Sequence, residues 1–177
     1  MIEPMIEPIF VILGILASVA IPRLAATRED AEISAAVANL RTLISDAGAY
    51  LVVKGDFGGT NGTGAAKWNA ITNVPLVNAG GTATANTSAA ITPVATNNGA
   101  YLKVGGKSCI GVHLVDKKGN VPAYIKLTKN NTNQNIGVCA KVLNAEPVKA
   151  YINSKVPDGS STGIQNAIAI GSNTKIY

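Results

Sequence analysis

Few of the side chains that carry out catalysis occur in this sequence. Among 177 residues there is one histidine, His113, and charged residues make up 14% of the chain, where about 25% is usual. There is no Gly-rich phosphate loop and no pair of carboxylates at a useful spacing in the second half. His113 alternates with apolar neighbours in a predicted strand, a setting typical of a structural histidine. We therefore expect neither enzymatic activity nor a cofactor.

Cysteine is also scarce. The chain has two, Cys109 and Cys139, both in its second half. A structural zinc site usually takes four Cys or His ligands. Two cysteines and one histidine therefore predict no metal site.

Basic residues are missing from the first 22 positions, which instead contain an apolar run, IFVILGILASVAI, at residues 9–21. Such a run has no polar face to present to water, yet it is shorter than the roughly 20 residues of a usual membrane span. Three interpretations compete: a signal peptide, a plain membrane anchor, or the start of a longer helix. Residues 1–8 carry Glu3 and Glu7 where a signal peptide has basic residues, which disfavours the first interpretation.

A second helical pattern follows the apolar run without a linker. Lys54 and Gly55 then provide a cation in the last turn and a stop signal. The pattern predicts one helix from near the start of the chain to about Lys54, on the order of 80 Å long. Its second half carries a single apolar seam, formed by Ile33, Val37, Leu40, Ile44, Ala47 and Leu51.

Acidic residues cluster on the predicted helix at Glu29, Asp30 and Glu32, with Arg23 and Arg28 nearby. Opposite charges three or four residues apart on a helix stabilise it modestly. We interpret the cluster as a charge girdle that is either solvated or pairs with another subunit.

The stretch ILGILASVAIPRLAATREDAE, together with the two-part helix around it, resembles the type IV pilin family, which includes the pseudopilins of type II secretion systems. The resemblance covers about residues 9–54, and Gly14 and Pro22 stand where the family has these residues. It implies a long N-terminal helix, packed on a small antiparallel β-sheet head, that polymerises into a helical filament. The remainder of the chain matches the family only in general plan.

The resemblance also implies roles for residues near the N-terminus. The family places a buried Glu close to the chain start and pairs it with the N-terminal amine of an adjacent subunit, here that of Met1. The chain begins with a tandem repeat, MIEPMIEP, in which Glu7 is the better counterpart and Glu3 the second candidate. No basic leader precedes Met1, so we expect either a mature chain or an altered N-terminus. Gly14 and Pro22 both weaken the helix; between them it either loses helical form in the filament or is merely kinked.

The two cysteines are expected to pair, because the family commonly carries a disulfide in its C-terminal half and an exported domain favours oxidation. Their loop of about thirty residues would stabilise the fold by roughly 3–4 kcal/mol. Two buried free thiols are the alternative.

Glycosylation-type sequons also occur after the predicted long helix. Such matches arise often by composition alone in a chain rich in Asn and Thr, so they are weak indications. They begin at Asn61, Asn86 and Asn130.

The predicted fold class is α+β: a long N-terminal α-helix, apolar in its first half and amphipathic in its second, on a small antiparallel sheet. Trp68 is expected to pack its segment onto the helix, and residues 136–143 fit either a strand or a helix. A short helix is expected over residues 145–152 and a final strand over 167–170. The predicted organisation is an apolar membrane or filament-core helix over 1–26, an amphipathic half over 27–54, a surface loop over 55–99, and a disulfide-bonded head over 100–177.

The predicted function is that of a structural subunit of a type IV pilus-like filament, held in the inner membrane as a monomer and exposed at the cell surface when assembled. Its partners would be copies of itself and a pilus or secretion assembly machinery. A pseudopilin is the alternative on the same architecture. A membrane-tethered basic module for DNA or acidic surfaces is the alternative from another class, because residues 57–177 carry a net charge of +8. Nucleic-acid binding is disfavoured, since the lysines are dispersed without interleaved aromatic residues.

Overall fold

A long helix begins the part of the chain described by the computed structural model, which covers residues 7–57, 68–77 and 100–170. Helix α1 (Glu7–Lys54) has 48 residues and is therefore about 72 Å long at 1.5 Å per residue. It ends where the sequence predicts: Gly55 takes a φ of +87°, and its amide N–H donates to the Leu51 carbonyl at 2.8 Å. A glycine in this left-handed conformation is a common way to end a helix.

The remaining described residues form short helices and strands. In chain order these are α2 (Trp68–Ile71), β1 (Leu76–Val77), β2 (Ala100–Val104), β3 (Lys107–Val115), β4 (Tyr124–Lys129), α3 (Gly137–Asn144), α4 (Glu146–Ile152), β5 (Lys155–Val156), β6 (Ile164–Gln165) and β7 (Ala167–Ala169).

Antiparallel pairing joins the strands. Within the described residues, five strands form one sheet in the order β1-β2-β3-β4-β7, and β5 and β6 pair separately. Side chains alternate between the two faces of a strand, so one face of the central strands is buried and carries Leu102, Val112 and Leu127. These side chains belong to one hydrophobic core with α1. The coarse prediction, an α+β fold with helices and an antiparallel sheet, is confirmed.

The buried face of α1 is broader than the predicted seam. Leu40 and Ala47 are fully buried as expected, but Ala36 and Leu43 are buried too. The other seam residues, Ile33, Val37, Ile44 and Leu51, are half-buried at the edge of the core. A sheet covers a stripe of more than 100° on a helix, whereas a single seam describes the narrower contact of two helices.

Two segments can be compared with predictions that the sequence left open or made differently. Residues 137–144 form helix α3, which settles the open choice between strand and helix; it buries Cys139, Val142 and Leu143, a spacing that fits one face of a helix. The described part of the expected surface loop is also structured, because β1 pairs with β2 as the edge of the sheet and Leu76 is fully buried. Helix α4 and strand β7 lie at the predicted places.

Candidate functional site

The first part of α1 presents an apolar surface to solvent. We call residues 9–21 the apolar segment. Its only polar side chain, Ser18, donates its hydroxyl hydrogen to the carbonyl of Ile15 at 2.8 Å, so this polar group is satisfied within the helix. The large apolar side chains that the structure describes in this segment are 55% to 67% exposed, and these are Ile9, Phe10, Val11, Ile12, Leu13, Ile15, Leu16 and Ile21.

Such a surface is unusual, because soluble monomers rarely expose contiguous apolar patches larger than a few hundred Å². None of the helices that the described residues form is long and apolar enough to cross a membrane.

Of the predicted assembly residues, three fall within α1. The helix runs without interruption through Glu7, Gly14 and Pro22, and a Cβ atom at Gly14 would meet nothing within 4 Å apart from the neighbouring backbone of its own helix. Met1 and Glu3 lie outside the described residues.

Charged side chains meet where α1 enters the head. Lys141 on α3 donates a hydrogen bond to Glu29 on α1, an ion pair between residues far apart in the sequence. This hydrogen bond, together with the charge of Glu29, raises the pKa of Lys141. Arg28 pairs with Glu32 one turn further along α1, with Nε 3.4 Å from Oε1. Part of the expected charge girdle is thus neutralised within one chain.

The turn between β2 and β3 reaches α1 and α3 at the same place. Gly105 and Gly106 have φ values of +56° and +80°, and two positive φ values in a two-residue hairpin loop are typical of a type I′ turn. A Cβ atom at Gly105 would lie 2.5 Å from Val138 Cγ1 and 2.9 Å from Glu32 Oε2. The turn therefore packs closely because residue 105 has no side chain.

A groove lies between α1 and this turn, formed by two adjoining cavities of about 930 Å³ and 440 Å³. We call it the α1–turn groove. Both cavities are lined by Glu32, Gly105 and Gly106. The larger is also lined by Ile21, Thr27, Arg28, Glu29 and Val138, and the smaller by Ala35, Ala36, Asn39, Pro75, Val77, Lys103 and Val104. The groove begins at Ile21, the last residue of the apolar segment.

Helix α3 forms one wall of the groove and is held on two sides. A disulfide joins Cys109 on β3 to Cys139 on α3, which is the expected pairing, and both residues are fully buried. Lys141 connects the same helix to α1 through Glu29. The position of α3 therefore depends on the sheet and on the long helix together.

His113 lies away from the groove, in the middle of β3. It is opposite Lys126 of β4 in the sheet register, and its Nε2 is 3.3 Å from Thr128 Oγ1. Burial, and secondarily the charge of Lys126, lowers the pKa of His113. Within the described residues, no group of three or more His, Cys, Asp and Glu side chains could hold a metal ion.

Two further predictions can be compared with the structure. Trp68 is 4% exposed and belongs to the core that includes α1, in line with its expected anchoring role. Asn130, by contrast, does not present an acceptor for a glycan in the folded head. It is 6% exposed, and its amide Nδ2 donates to Ser108 Oγ at 2.9 Å. The other two sequons, at Asn61 and Asn86, lie outside the described residues.

Comparisons of this chain with protein-family models, with curated proteins and with solved structures find no match.

Proposed function

We propose that this protein is a structural subunit of a type IV pilus-like extracellular filament, which polymerises through the N-terminal part of α1. The observation that carries the proposal is the apolar segment, an exposed and uncharged length of helix beyond the folded head. A segment of this kind needs a covering of lipid or protein. A filament core made of identical helices supplies one.

The same surface suits both states of such a subunit. Before assembly the apolar segment would be embedded in the inner membrane, and afterwards it would pack on copies of itself. Lipid tails and packed apolar side chains are similar environments, so helix association in a membrane depends on packing and hydrogen bonding. The free-energy change for transfer of the segment from lipid to the filament core therefore need not be large, and an assembly machinery could extract subunits from the membrane.

The residues near the chain start would set how neighbouring subunits fit together. In this proposal Glu7, or Glu3 as the second candidate, pairs with the α-amine of Met1 in an adjacent subunit. A carboxylate in an apolar surrounding is costly unless it is paired. The pairing would thus favour one axial step between subunits.

Removal of the apolar segment tests the proposal. A fragment beginning near Thr27 keeps the face of α1 that packs on the sheet, and we expect it to be soluble and monomeric. The full chain should form thin filaments, visible by electron microscopy in cells or in sheared fractions. Long filaments made by the fragment, or an absence of any filament from the full chain, would refute the proposal. Short filaments confined to the cell envelope would instead indicate a secretion pseudopilin.

A further inference from the structure

On the basis of the proposed function, we propose that the α1–turn groove receives the apolar segment of α1 from a second copy of this chain. The proposed function says that these segments assemble, whereas this inference names a surface of the head that one of them contacts.

The groove has the size of a short length of helix. An α-helix is about 10–12 Å across with a pitch of 5.4 Å, so one turn occupies roughly 400–600 Å³. The larger cavity, at about 930 Å³, is comparable with roughly two turns on that scale.

The surface of the groove permits a close approach. Gly105 and Gly106 expose backbone where other residues would project side chains, and a Cβ atom at Gly106 would have nothing within 4 Å. Ile21 and Val138 add apolar walls. Small residues let a helix backbone approach its partner closely, which strengthens packing between helices.

The carboxylates of the groove suit an uncharged occupant. Glu29 is paired with Lys141, and Glu32 with Arg28, both within one chain. An apolar helix lying against these side chains would leave neither carboxylate without a cation. Burying an unpaired charge would be strongly unfavourable. The apolar segment contains no ionisable side chain that would need a partner in the groove.

The groove also adjoins the exposed surface of the apolar segment. Ile21 is 67% exposed, ends the apolar segment and lines the larger cavity. A second helix lying along the groove would cover Ile21 together with Val138. Every copy of the chain thus carries both the apolar segment and the groove, so each copy can bind the next one in a repeating assembly.

Disulfide crosslinking between copies tests this inference. Full-length chains with one affinity tag would carry Phe10→Cys, Val11→Cys or Ile12→Cys, three exposed positions that lie about 100° apart around the helix. Chains with a second tag would carry Ala35→Cys in the groove or, as the control, Ser34→Cys. Residues 34 and 35 are both exposed on α1, but only Ala35 lines the groove. The native cysteines are fully buried, so they should not exchange.

We expect the yield of crosslinked heterodimers that carry both tags to be severalfold higher with Ala35→Cys than with Ser34→Cys. Equal yields, or no Ala35 crosslink in samples that contain filaments, would overturn the groove assignment and leave the filament proposal standing. Samples without any assembly by electron microscopy would overturn both. The groove assignment would likewise fail if the chains associate with lipid vesicles only as monomers.

A bulky substitution gives a second readout. Ala35→Trp fills the groove, and Ser34→Trp adds the same side chain one position away. We expect the first to reduce filament yield severalfold relative to the second, at equal expression and with unchanged thermal stability of the head. Equal filament yields from the two variants would contradict the inference.

Discussion

A Cβ atom at Gly105 would lie 2.5 Å from Cγ1 of Val138, so any side chain at residue 105 would force Val138 or the β2–β3 turn to shift. Gly105 and Gly106 both have positive φ, but a Cβ atom at Gly106 meets nothing within 4 Å. A substitution at either glycine therefore incurs the cost of a positive φ, but only a substitution at Gly105 also incurs a steric overlap.

We predict that Gly105→Ala lowers the free energy of unfolding more than Gly106→Ala does. Both variants incur the left-handed backbone penalty of about 1–2 kcal/mol, and Gly105→Ala adds about 1–3 kcal/mol from the overlap. Denaturant unfolding of the two variants measures the difference. Val138→Ala should recover part of the loss only in the Gly105→Ala background. Equal losses from the two glycine substitutions would show that the overlap is relieved without cost.

The disulfide should be a main source of head stability. We expect the double variant Cys109→Ala with Cys139→Ala to lose about 3–4 kcal/mol, because the crosslink restricts a loop of about thirty residues in the unfolded chain. Denaturant unfolding of this variant and of the reduced wild-type chain measures the loss. If both unfold at the wild-type midpoint, the bond contributes nothing to stability.

Thr72 connects the short segment after α2 to the long helix. Its Oγ1 donates to Asp46 Oδ2 at 2.6 Å and accepts from the amide of Val74 at 3.1 Å. Thr72→Val removes both bonds at a site that is 4% exposed, and we expect a loss of about 1–3 kcal/mol in the free energy of unfolding. Thr72→Ser keeps the hydroxyl and should lose less. A larger loss from the Ser variant would mean that packing of the methyl group matters more than the hydrogen bonds.

His113 should make the head less stable in acid. Its pKa is lowered in the folded state by burial and by Lys126, whereas the unfolded chain has a histidine pKa of about 6.5. As the pH falls below about 6.5, the unfolded state binds the proton first, so the free energy of unfolding decreases until the pH passes the folded pKa. The contribution is therefore fully present at higher pH.

The titration of His113 can be isolated because the chain contains one histidine. Its NMR signals report the folded pKa directly, and Lys126→Gln should move that pKa upwards. His113→Gln should remove part of the stability loss between neutral and mildly acidic pH. An unchanged pH dependence in His113→Gln would show that other groups account for it.

Assembly should depend on one carboxylate near the N-terminus. We predict that Glu7→Gln reduces filament yield more than Glu3→Gln does, because Glu7 adjoins the apolar segment. Loss of one member of a buried ion pair typically costs about 3–5 kcal/mol, repeated here at every subunit. Filament yield at equal subunit expression measures the effect, and membrane insertion should be unchanged in both variants. Wild-type yield from both would show that neither carboxylate has this role.

Several features could be predicted from the sequence because they depend on neighbouring residues. Gly55 marks the end of α1, since a glycine after an apolar helical pattern takes the left-handed conformation that stops a helix. Apolar side chains alternate in β3 and β4, and the two glycines at 105 and 106 indicate the turn before β3. The lack of charge in residues 9–21 is likewise evident without any structure.

Other features were decided only by tertiary contacts. The alternation at residues 136–143 suited a strand as well as a helix, and burial of Cys139, Val142 and Leu143 against the core favoured the helix α3. The sequence indicated Leu40 but not Leu43, because the width of the buried stripe depends on the sheet that covers α1. The pairing of Glu29 with Lys141, 112 residues away, and the groove beside it exist only when α1, α3 and the β2–β3 turn meet. Such long-range contacts leave no local pattern, because residues distant in the sequence form them only when the chain packs into a single core.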